Sequence, residues 1–125
     1  MKVAGFGFRQ GATAGDLAAA LALTGHRPDA LASVATKADA PAFRTLAAEM
    51  NLPVIALPKE ALRGMQTLTS SPRIQARFGT GSLAEAAALK GACHGSTTAT
   101  ARLLEPRVVT ADGLATAAIA ERLTP

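Results

Sequence analysis

The sequence has no tryptophan and no tyrosine, and its whole aromatic complement is four phenylalanines. A chain so poor in rings has no platform on which successive bases could stack, and no aromatic is interleaved with Lys or Arg. There is also no basic run and no zinc-finger spacing. Nucleic acid is therefore not expected as a partner, even though 13 Lys and Arg outnumber 9 Asp and Glu for a net charge of +4. That excess favours anionic partners in general. The single cysteine, Cys93, excludes an internal disulfide and fits a reducing, cytoplasmic setting. His26 and His94 are isolated, so no metal-ligand set is expected. No apolar run is long enough to span a membrane. Near the N-terminus, Arg9, Gln10 and Asp16 break the apolar stretch before a signal-peptide core could form.

What the chain does have is a hydrophobic fraction of 49%, supplied mainly by Ala, Leu and Val. Its 125 residues suit one domain, 1–125, with a single core built by close packing of small side chains.

Along the chain, strand and helix signals alternate. Val3 to Phe6 reads as a strand, followed by a Gly-bearing loop and a helix through Leu17, Leu21 and Leu23 that closes at Gly25. Leu31 to Ala35 is a second buried strand. Pro41 opens a helix with Phe43, Leu46, Ala47 and Met50 on one face. Pro53 to Leu57 is a third strand, and a short helix follows from Pro58 to about Met65. This alternation predicts an α/β fold with helices flanking a largely parallel sheet. The middle, Thr67 to Gly81, is rich in Ser, Thr and Gly around one amphipathic stretch, Arg73 to Phe78, with Ser71-Pro72 as its helix start. Ser82 caps a further helix through Leu83, Ala86, Ala87 and Leu89 that stops at Gly91, and 91–98 reads as loop. At the C-terminus the signals conflict: Leu114 to Leu123 is Ala-rich like a helix, whereas Ala111-Asp-Gly113 between two apolar runs resembles a hairpin turn.

Three places could carry chemistry. The run Gly5-Phe-Gly-Phe-Arg-Gln-Gly-Ala12 lies where a strand hands over to a helix, so its glycines would let backbone approach an anion while Arg9 offers a planar fork. The spacing of Gly5, Gly7 and Gly11 departs from the dinucleotide fingerprint. A tight turn with a surface Arg is the other reading. Lys37 and Asp39 follow the second strand, at the sheet edge where open α/β sheets bind ligands, or else form a solvated pair. Gly79-Thr-Gly-Ser82 precedes Glu85, which either completes a capping box with Ser82 or acts as a general acid or base. Thr69, Ser71 and their neighbours could line a pocket with hydroxyls or simply form turns. Cys93 and His94, being adjacent, are poorly placed for a catalytic pair.

The ordered blocks Gly5-Phe-Gly-Phe-Arg-Gln-Gly-Ala12, Ala35-Thr-Lys-Ala-Asp39, Thr69-Ser-Ser71, Gly79 to Leu89, Leu103-Leu-Glu-Pro-Arg107 and Thr116-Ala-Ala-Ile-Ala120 resemble the CobE family, equivalent to the C-terminal domain of CbiG. The resemblance spans nearly the whole chain. It implies a three-layer α/β/α domain with a mostly parallel or mixed sheet of about five strands and a C-terminal hairpin whose last strand is Ala115 to Ala120. It also implies service in corrin-ring construction, with a carboxylate-rich tetrapyrrole or corrinoid intermediate as ligand, other pathway enzymes as further partners, and no cofactor. Two-domain CbiG relatives hydrolyse a ring lactone and release acetaldehyde. A binding or carrier protein, a precorrin hydrolase and a structural partner of another enzyme are the three readings that follow.

Matched residue by residue, the family motifs fall on Gly5, Gly7, Arg9 and Gly11, on Lys37 and Asp39, on Thr69 and Ser71, on Gly79, Gly81, Ser82 and Glu85, and on Arg107 and Thr116. Glu85 is the catalytic candidate and the others are ligand-binding candidates. Ala40 stands where relatives often carry an acid.

Overall fold

The structure is a computed structural model and describes residues 1–123. Its centre is a five-stranded sheet in the order β3-β2-β1-β5-β4. Strands β1 (Lys2–Phe8), β2 (Ala30–Val34) and β3 (Val54–Leu57) are parallel. The crossovers between them hold α1 (Ala14–Thr24) and α3 (Pro41–Met50), as parallel pairing demands. The other half is an antiparallel hairpin, β4 (Ala101–Val109) and β5 (Ala115–Arg122), whose second strand pairs with β1 from Lys2↔Glu121 to Phe8↔Ala115.

Alternation along β1 divides the interior into two layers. Ala4 and Phe6 face α1 and α3, where Leu17, Leu21, Phe43 and Leu46 close a core containing an edge-on Phe6–Phe43 ring pair. Val3 faces the opposite core, with Ala30, Ala32, Ala118 and Ala120, beneath α6 (Leu83–Ala92). The short helices α4 (Lys59–Leu62) and α5 (Pro72–Phe78) add Leu62 and Phe78 to that side. The three-layer α/β/α fold is thus present, with a mixed sheet.

Several boundaries differ from the sequence reading. Strand β1 continues through Phe8, so Gly5 and Gly7 are strand residues and the loop is confined to 9–13. Strand β2 ends at Val34, and 35–38 form a single helical turn, α2 (Ala35–Ala38). Helix α6 passes Gly91 and ends at Ala92. The Ala-rich C-terminal segment is strand β5 of a hairpin, as the family resemblance implied, because lying between β1 and β4 satisfies its backbone on both edges and buries Ala117 to Ala120, which outweighs local helix propensity. Helix α1 opens on a capping box of Thr13 and Asp16 and closes at Gly25, as expected, in the left-handed region at φ 73°.

Candidate functional site

The carboxyl ends of β1 and β2, the start of β5 and the β4–β5 turn converge on one edge of the sheet. Antiparallel pairing brings them together: the Arg9 backbone N–H donates to the Leu114 carbonyl at 2.9 Å, tying the β1–α1 loop to the hairpin. The turn itself is set by Asp112, whose carboxylate accepts the Thr110 hydroxyl at 2.6 Å and the Leu114 N–H at 3.0 Å, and by Gly113 at φ 74°. These two donors hold the Asp112 carboxyl below its ordinary range, the Thr110 hydroxyl being the larger influence.

Helix α5 faces this edge and completes a cleft of about 910 Å³. Five cations line it: Arg9 from the β1–α1 loop, Lys37 from α2, Arg73 and Arg77 from α5, and Arg107 from β4. Its lining contains no Asp and no Glu among the described residues. Between the cations lie apolar walls from Phe8, Phe78, Leu83 and Leu114. The Lys37 ammonium donates to the Phe8 carbonyl and stands 5.0 Å from the centre of the Phe8 ring. Burial first, then repulsion from Arg77 and Arg73, pushes the Lys37 pKa below its ordinary value. Arg77 lies over the Phe78 ring at 5.1 Å.

Of the residues singled out from sequence, Gly7, Arg9, Lys37, Ser71, Arg107 and Thr116 line the cleft. The Thr116 hydroxyl donates to the Gly7 carbonyl at 3.0 Å, fixing β5 against the end of β1. The others do not line it. Gly5 is covered by α6, and a Cβ there would stand 2.1 Å from the Ala84 carbonyl oxygen, so this glycine serves helix–sheet packing. Gly11 is an exposed turn residue at φ 97°. Asp39 is exposed and paired with Arg44 at 2.7 Å, not with Lys37. Gly79 caps α5 in the left-handed region, and Gly81 packs against Thr67 and Thr69.

Glu85 is fully buried, lies outside the cleft lining, and accepts four hydrogen bonds on its carboxylate. One oxygen, Oε1, accepts the N–H groups of Leu68 at 2.6 Å and Thr69 at 3.0 Å. The other, Oε2, accepts the Thr69 hydroxyl at 2.8 Å and the Arg107 N–H at 2.9 Å. Ser82 caps α6 by accepting the Glu85 N–H at 3.2 Å, but the Glu85 side chain does not return to close a capping box. These four donors use about the full acceptor capacity of a carboxylate.

Sequence reasoning passed over Arg73 and Arg77. The signal was present, since residues four apart on a helix share a face, and both arginines fall within the stretch read as amphipathic. Nothing local showed that this face would close over β1.

The family model described as cobalamin synthesis G C-terminus matches residues 2–120. No curated protein matches the sequence. Among solved structures, the chain is similar to CobE, a protein from the cobalamin (vitamin B12) biosynthetic pathway, at 33% identity and a TM-score of 0.85, covering 100% of this chain and 92% of that one. It is also similar to the cobalamin biosynthesis protein chiG from Agrobacterium tumefaciens str. C58, at 31% identity and a TM-score of 0.67, covering 97% of this chain and 98% of that one. Matched over almost its entire length, with a cationic cleft at the sheet edge, this chain belongs to the cobalamin synthesis G C-terminus family and is a protein of the cobalamin biosynthetic pathway.

Proposed function

We propose that the chain binds and carries a carboxylate-rich corrinoid or precorrin intermediate in this cleft, in the cytoplasm. The observation that carries the reading is the set of five cations lining one cleft with no carboxylate among the described lining residues. Gathering like charges costs stability, and the folded chain retains them where an anion can neutralise them. A macrocycle with acid side chains around an apolar ring suits such a site, because its periphery meets Arg9, Lys37, Arg73, Arg77 and Arg107 while its faces meet Phe8, Phe78 and Leu83. The volume of about 910 Å³ lies in the upper part of the range for small-molecule sites, about 300–1,000 Å³.

Binding without turnover is favoured over hydrolysis by the position of Glu85, whose carboxylate is consumed by protein donors. The test is to mix the protein with hydrogenobyrinic acid at low salt and follow visible absorbance on a sizing column. Co-elution of unchanged corrinoid supports the carrier. Release of a small product with an altered spectrum from a lactone-bearing precorrin supports the hydrolase, and colourless protein across several carboxylated intermediates refutes binding.

A further inference from the structure

Helix α5 belongs to an excursion of the chain between α4 and α6 that is closed at its base by two backbone hydrogen bonds, Gly64 N–H to the Gly79 carbonyl at 2.7 Å and Ser71 N–H to the Gly81 carbonyl at 2.8 Å. Phe78 is its buried residue, while Arg73 and Arg77 are exposed on the cleft side. On the opposite wall, β4 is an edge strand whose register with β5 shifts between Glu105 and Val108. Pro106 and Arg107 occupy that irregularity, so the Arg107 N–H is released from the ladder and points inward. Glu85 meets both structures at once, holding the excursion through Leu68 and Thr69 and the bulge through Arg107.

We propose that Glu85 is a positioning residue whose carboxylate joins the α5 excursion to the β4 bulge, and so sets how far Arg73 and Arg77 stand from Arg107 across the cleft. It acts through three backbone N–H groups and the Thr69 hydroxyl, and touches no ligand. A carboxylate suits the task because all four groups facing it donate. A glutamine would turn an N–H toward at least one backbone N–H, and that buried donor would lose its partner. The proposal rests on the reading of the cleft as a polycarboxylate site.

The experiment combines Glu85→Gln with Arg107→Ala in a double-mutant cycle, using hydrogenobyrinic acid as probe and the amide protons of Leu68, Thr69 and Arg107 as a second readout. Glu85→Gln is expected to weaken binding about tenfold in the parent, with much of that loss absent once Arg107 is alanine, and to speed exchange of the Arg107 amide. Unchanged affinity, or losses that add fully, overturns the positioning role. Should Glu85→Gln fail to fold, Thr69→Val removes one donor and leaves the carboxylate. Its binding loss is then expected to shrink in the Arg107→Ala background, and additivity there overturns the proposal equally. A parent that binds no corrinoid refutes the functional reading, while the amide readout still reports separately whether Glu85 joins the two segments.

Discussion

Gly5 lies directly beneath the backbone of Ala88, so close that a Cβ on Gly5 would stand 2.3 Å from the Ala88 nitrogen. Helix α6 can descend that far because the sheet face below it is made of Val3, Ala30, Ala32, Ala118 and Ala120, and its own contact face of Ala84, Ala88 and Gly91. Close packing of small residues, expected from the composition, is concentrated here. The first turn of the same helix carries Glu85, which bonds Leu68 and Thr69 on one side and Arg107 on the other.

Replacing Gly5 by Ala forces backbone against backbone, with no flexible side chain to yield. We expect a loss of about 3 kcal/mol or more, at the upper end of overpacking costs. Gly91→Ala is expected to cost less, because its Cβ would meet the side chains of Ala32 and Val3, both at 2.9 Å. Gly11→Ala has open space and only left-handed strain, worth about 1 kcal/mol. Denaturant melts of the three variants should follow that order, and a mild Gly5→Ala contradicts the packing.

Neutralising α5 separates stability from binding. Arg73→Gln with Arg77→Gln relieves repulsion within the cleft and is expected to keep or raise the melting temperature while weakening hydrogenobyrinic acid binding at least tenfold. Salt should act in the same two directions, since screening within about 10 Å at 0.1 M weakens both the repulsion and the attraction. Binding titrations and melts at 0.05 and 0.5 M salt test this, and salt-independent affinity contradicts it.

Asp39→Asn supplies the contrast. Its ion pair with Arg44 is exposed on both sides, with 75% of the Asp39 side chain in solvent, so the pair is worth at most about 1 kcal/mol. Corrinoid affinity should be unchanged within twofold. A large loss would return Asp39 to the site.

Lys37 gives a pH dependence whose sign follows from its lowered pKa. At pH values between the lowered folded value and the ordinary 10.5, the unfolded chain holds the proton that the folded chain has released. Stability attributable to Lys37 therefore rises with pH through that window, and below it the folded ammonium carries its full penalty. Lys37→Met should remove this alkaline increment, seen as a smaller rise in unfolding free energy with pH than in the parent. Parallel pH profiles refute the assignment.

Much of the fold was legible because local and tertiary preferences agree. Thr13, Asp16 and Gly25 mark the ends of α1, and Pro41 with Phe43, Leu46 and Ala47 marks α3 and its buried face. Where they disagree, local composition by itself misleads. The Ala-rich β5 has helical composition, and its strand state comes from pairing with β1 and β4, distant in the chain. Likewise Gly5 and Gly7 resemble loop glycines until β5 extends β1 to Phe8.

The sequence by itself determined the alternating α/β plan, the small-residue core, the family, and the candidates Arg9, Lys37 and Arg107, because capping, periodicity and motif order are properties of neighbouring residues. Only the tertiary structure decided which candidates share a cleft, that Arg73 and Arg77 join them, and that the Glu85 carboxylate meets Leu68, Thr69 and Arg107. The reason is physical: charge repulsion and hydrogen-bond satisfaction depend on distances of a few ångströms between segments far apart in sequence, as between Glu85 and the N–H groups of Leu68 and Arg107.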